Sequence, residues 1–86
     1  MILTDLAQDF EDIGEFKEGL AWVRREGKEG YVDEEYRLII PYKYDFCGTF
    51  RGGIAAVMKD DDVIYINKQG TELFKLPEFV KKRWEK

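Results

Sequence analysis

The sequence contains no histidine and no serine, a single cysteine, two prolines and no long apolar run. Each absence excludes something. Without histidine there is no Ser-His or Cys-His nucleophile and no imidazole to ligate a metal. One cysteine, Cys47, cannot form an internal disulfide, which fits a reducing compartment. No stretch approaches the roughly 18 apolar residues of a membrane span, and the opening "MILTDLAQDF" lacks the basic start of a signal peptide. The expected location is therefore the cytoplasm. Phosphate loops are also missing, because "REGKEG" and Gly52-Gly53 lack the required spacing and the strand-to-helix context.

What is present is a small, aromatic, acidic chain. Its 86 residues suffice for one domain, and 44% hydrophobic with 15% aromatic residues is enough to build a core. Each buried ring contributes roughly 2–3 kcal/mol. The net charge of −4 disfavours nucleic acid as a partner. That charge is uneven: residues 1–35 hold 11 acids and 4 bases, whereas residues 36–86 hold 7 acids and 10 bases. Solvated faces of both signs account for this, as would an acidic half that meets a basic partner or the basic end of a second copy.

The strongest signal is internal. "GEFKEGLAWV" at 14–23 returns as "GTFRGGIAAV" at 48–57, an offset of 34 residues. The same offset relates Phe16 to Phe50, Gly19 to Gly53, Leu20 to Ile54, Tyr31 to Tyr65, Val32 to Ile66 and Asp33 to Asn67 without a gap. Periods of 20–50 residues indicate stacked units. Within a unit, "LAWVRRE" and "GYVD" flank the turn signal "EGKEG", and "RLIIP" supplies a third run. In the second unit "KDDD" takes the place of that turn. These features predict an all-β fold of two tandem three-stranded antiparallel meander units, residues 10–43 and 44–75, in a single domain spanning 1–86. Gly19 and Gly53 precede a strand, where positive φ or close backbone approach is expected. Phe16 and Phe50 read as plugs folding back onto the sheet, aimed by turns at Gly14 and Gly48.

These residues resemble the bacterial WG-repeat family. The likeness rests on "FEDIGEFKEGLAWVRREGKEGYVDEEYRLIIPYKYD" and its echo "YDFCGTFRGGIAAVMKDDDVIYINKQGTELF", which together cover residues 10–74. The Trp-Gly pair that names the family is absent: Glu29-Gly30 stand in the first unit and Val63-Ile64 in the second. The glycine that follows the Asp in the family pattern is Tyr36 in one unit and Gly70 in the other. The resemblance implies a non-catalytic β-repeat module, commonly present in more copies than two.

Both ends of a two-unit stack need covering. "TDLAQDFEDI" places Leu6, Phe10 and Ile13 at helical spacing, with Thr4 or Asp5 as N-cap, but the repeat register also allows a degenerate strand. "LPEFVKKRWEK" has Pro77 at a helix's first position, Glu78 early and Lys81, Lys82, Arg83 and Lys86 later, so residues 76–86 read as a short helical cap. Phe79 and Trp84 would be buried by it. Alternatively, Trp84 with Arg83 anchors a partner.

Candidate chemistry is sparse. Glu34-Glu35 and Asp60-Asp61-Asp62 are the paired carboxylates, but neighbours on a strand face opposite ways. "KDDD" reads as a charged hairpin tip rather than a calcium loop, since its acids lack the usual spacing. Cys47 takes the place of Ile13 and reads as a small buried hydrophobe. Trp22 stands mid-strand in "LAWV", a run apolar on both faces that must be covered on both sides or form a patch.

The expectation from sequence is thus a non-catalytic protein-binding module needing no cofactor, with Trp22, Tyr36, Tyr42, Arg83 and Trp84 as candidate contacts and homodimerisation through a sheet edge or the Trp22 face. The alternatives are a small acidic inhibitor or immunity-type protein that masks a basic partner, and an orphan small-ligand or metal binder using surface carboxylates.

Overall fold

A computed structural model describes residues 10–76. They form eight strands: β1 (Asp12–Ile13), β2 (Leu20–Arg25), β3 (Lys28–Asp33), β4 (Leu38–Tyr44), β5 (Phe46–Cys47), β6 (Ile54–Lys59), β7 (Asp62–Asn67) and β8 (Glu72–Leu76). These make two antiparallel four-stranded sheets in sequence order, β1-β2-β3-β4 and β5-β6-β7-β8. The sequence reading anticipated three strands per unit. The fourth is a two-residue strand at the start of each, too short for a propensity signal but held by its ladder. Asp12 and Ile13 pair with Arg24 and Val23, and Phe46 and Cys47 pair with Met58 and Val57. A helical reading of "TDLAQDFEDI" therefore does not extend to Asp12–Ile13, which are strand, and the helical cap expected over 76–86 does not include Leu76, which ends β8; the rest of both segments, apart from Phe10 and Glu11, lies outside the described residues.

The 34-residue offset carries through the hydrogen bonding. Leu20 opposes Asp33 as Ile54 opposes Asn67, and Lys17 bridges Leu20 as Arg51 bridges Ile54. Turn chemistry repeats with it. Glu18-Gly19 and Gly52-Gly53 both take positive φ, as do Glu26-Gly27 and Asp60-Asp61. Two successive positive φ values match the twist of the flanking strands, which is why these two-residue hairpins close tightly. Space is open around Gly19 and Gly53, so conformation rather than close approach selects glycine there. Asp33 and Asn67 act alike: each side-chain oxygen accepts N–H groups two and four residues on, from Glu35 and Arg37 or from Gln69 and Thr71. Such Asx turns start the reversal into the last strand.

Gly14 and Gly48 are not the turns expected of them. Neither has positive φ; their N–H groups extend the ladder to Trp22 O (3.0 Å) and Ala56 O (2.9 Å). Gly14 is small because the Trp22 indole lies where a Cβ would be. The units also part ways at their third pairing. β8 runs in regular register along Val63–Tyr65, whereas β4 shifts so that Glu29 opposes Tyr44. A Cβ at Gly30 would stand 2.3 Å from Ile40 O, so this irregular strand requires glycine there, while Ile64 is accepted beside the regular one.

Side chains alternate across each sheet. Call the face bearing Leu20, Trp22, Tyr31 and Ile40 the front of the first unit, and the face bearing Ala21, Val23 and Val32 its back. The front of the first unit packs on the back of the second, where Cys47, Ala55, Val57, Ile64 and Ile66 lie, to form the main core. Phe50 plugs this seam edge-on to Tyr31 at 4.8 Å, and the Tyr31 hydroxyl donates to Gly48 O. The plug reading holds for Phe50, which is buried. Phe16 likewise folds back onto its sheet, half-buried, joining Phe10, Ile13 and Tyr42 over the back of the first unit. "LAWV" is thus covered on both sides, with Trp22 half-buried at the margin of the main core.

Polar contacts fix the seam. Buried Glu29 accepts the Cys47 N–H (2.7 Å) and pairs with Arg24 at 2.9 Å. Lys28 meets Asp45 at 2.6 Å. At the far edge the Glu18 carboxylate accepts N–H groups from Gly52 (2.6 Å) and Gly53 (2.8 Å), and the Gly53 and Gly52 amides hold its carboxyl below the ordinary range.

Candidate protein-binding surface

The residues singled out from sequence do not converge on one place. Trp22 belongs to the seam: its indole covers Gly14, and the Arg24 guanidinium lies 5.5 Å from its ring. The front face that carries it is packed against the second unit, and Trp22 stays half-buried at its margin. Tyr42 is half-buried and packs toward Ala21, Val23 and Val32. Arg83 and Trp84 lie outside the described residues.

Tyr36 is different. It takes a positive φ (65°) in the loop between β3 and β4, where the second unit has Gly70. Its ring stacks near Phe10 (6.3 Å) and meets Phe16 edge-on (5.9 Å), yet 43% of the residue is exposed. A left-handed backbone is costly for tyrosine; here the ring contacts with Phe10 and Phe16 accompany it. Leu38 and Ile39, both exposed, follow in β4, and exposed Glu34 and Glu35 precede. Asp33, beside them, is held below the ordinary carboxylate range by the Arg37 amide, with further help from its guanidinium at 2.9 Å. The same loop borders a shallow groove lined by Gly19, Asp33, Glu34, Glu35 and Arg37. Tyr36 is thus an exposed ring in an acidic loop, with exposed Leu38 and Ile39 next along the chain.

Sequence reasoning did not anticipate Leu38, Ile39 and Leu73 as exposed. Register shifts lie between Tyr31 and Val32 and between Tyr65 and Ile66, and Ile39 and Leu73 are the extra residues opposite them. An irregularity of this kind breaks the alternation on which burial is read from sequence.

Three further titratable groups, Cys47, Tyr31 and Tyr44, are buried in the main core. Cys47 is buried, and burial above all pushes its thiol up to about 12. Burial likewise raises the Tyr31 and Tyr44 hydroxyls. "KDDD" is a hairpin tip: Asp60 and Asp61 form the turn and Asp62 opposes Lys59. Among the described residues no group of three or more His, Cys, Asp or Glu side chains is arranged to hold a metal ion, and no helix is long and apolar enough to cross a membrane.

Two antiparallel units of the same strand order, the front of one packed on the back of the next through a shared core and an aromatic plug, define a tandem β-repeat protein. The comparison with known families agrees. Residues 9–28 and 30–61 match the WG containing repeat, and the chain belongs to that family. Between the two matches stands Glu29, where the resemblance places the family's tryptophan and this chain has the buried carboxylate of the seam. No curated protein and no solved structure shows a significant match.

Proposed function

We propose that the protein is a non-catalytic binding module that presents the Tyr36 surface to another protein. The observation that carries this reading is an exposed tyrosine at a positive φ, braced by Phe10 and Phe16 and continued by Leu38 and Ile39. A braced aromatic ring loses little side-chain entropy on binding, which is why tyrosine is favoured as an interface anchor. Glu34 and Glu35 at the rim select a partner with an apolar pocket bordered by basic groups. Self-association through the edge of β8, the last strand of its sheet among the described residues, belongs to the same proposal, since an edge strand offers unpaired backbone groups.

The test compares wild-type protein with Tyr36→Gly, which suits the local backbone and removes only the ring. A protein retained by the wild type and lost from a folded Tyr36→Gly variant supports the reading. Equal retention by both moves the surface elsewhere. Light scattering across a concentration series reports self-association, and a monomer throughout removes the β8 contact.

A further inference from the structure

The two front faces occupy equivalent positions but differ in what covers them. In the first unit Leu20, Tyr31 and Ile40 are buried by the second unit. Their equivalents are Ile54, Tyr65 and Phe74, of which Ile54 is 40% and Phe74 56% exposed. The chemistry next to them differs too. Asp12, Arg24 and Glu29 form a charged row across the first front face, with Arg24 bridging both acids. Phe46, Met58 and Val63 replace them in the second, paired in the same register. The face left open by the two units is therefore more apolar than the one they bury, and Phe46 there is 52% exposed.

We propose that residues 77–86 occupy this face and seat Trp84 on Tyr65 as Phe50 is seated on Tyr31. Position supports this occupant over others. Trp84 follows Phe50 by the same 34 residues by which Phe50 follows Phe16. Phe50 returns onto the front of the first unit shortly after β4 ends at Tyr44; Trp84 follows the end of β8 at Leu76, which pairs with Val63 of the open face. Eight residues reach roughly 26 Å when extended, against roughly 14 Å across four strands, so the segment is long enough to double back. A head-to-tail second copy is disfavoured, because the surface it would bring, the back of the first unit, already has Ala21, Val23 and Val32 buried. The inference stands apart from the Tyr36 surface and gives Trp84 an internal role.

Nuclear Overhauser contacts in the full chain test it. Contacts from the Trp84 indole to the Tyr65 ring and the Ile54 methyls, unchanged on dilution, are the expected result. In a sample mixing two isotope labels, the same contacts appearing only between copies would overturn the assignment in favour of a dimer. A Trp84 indole without contacts to this face overturns it as well. Trp84→Ser gives a second readout: chemical-shift changes should concentrate on Ile54, Tyr65 and Phe74, and changes centred elsewhere count against the proposal.

Discussion

Tyr31 and Tyr65 stand at the same place in two units of the same design, one sealed and one at a surface. Tyr31 is 1% exposed, donates its hydroxyl to Gly48 O and meets Phe50; Tyr65 is half-buried and stacks on Phe74 at 4.7 Å within its own sheet. The hairpins and turns around them are alike and each faces the equivalent positions, Trp22 and Ile40 or Ala56 and Phe74; only the later part of β4 departs from the register that β8 keeps. What differs is the neighbour, so in this protein the repeat specifies backbone and stacking specifies burial. Sequence divergence follows that division: Glu29 and Arg24 became Val63 and Met58 where no Cys47 amide has to be satisfied.

The comparison can be broken most forcefully at the tyrosines. Tyr31→Ala removes a buried ring at the seam and should cost about 3–5 kcal/mol, enough to unfold much of the population of a small domain. Tyr65→Ala should cost less than half as much. Urea midpoints for the two variants decide it, and equal losses would mean that stacking does not distinguish the positions. Next comes Glu29→Ala. It leaves the Cys47 N–H without its acceptor and deprives Arg24 of one of its acidic partners, for a loss of about 2–3 kcal/mol by the same measurement. A near-neutral result would show that Glu29 is dispensable to the seam. The smallest effect lies at the matched turns. Asp61 holds φ of 72° where the first unit has Gly27 at 82°, so Asp61→Gly should raise stability by about 0.5–1 kcal/mol, and Gly27→Asp should lower it by a similar amount. Thermal melts of the pair would show opposite shifts.

Most of the architecture was legible because the repeat made each unit a check on the other. In the central hairpins aligned residues share a register to the residue, as Leu20–Asp33 and Ile54–Asn67 do. Legibility failed where the units differ or where a signal is too small. The two-residue strands carry almost no pattern of their own, and Gly14 conceals a packing role that emerges only once the Trp22 indole is placed over it. The irregular stretch of β4 cannot be read from "RLIIPYKY", although Gly30 against Ile64 marks the difference in hindsight. For the surface, Tyr36 stands out in the sequence as tyrosine where the second unit has Gly70, but its bracing by Phe10 and Phe16 is a property of three dimensions. Trp22 was assigned to a patch or a covered strand, and the stacking of the second unit resolves it as covered.

Glu18 has one more implication. Its carboxylate clasps the tip of the next hairpin, at Gly52 and Gly53, with Lys68 close by at 3.6 Å. By the 34-residue offset its own counterpart is Gly52. The second hairpin is therefore grasped but has no arm with which to grasp. Succession in this chain has a direction, and the part that would pass it onward is missing at position 52, so any neighbour joining there must bring its own fastening.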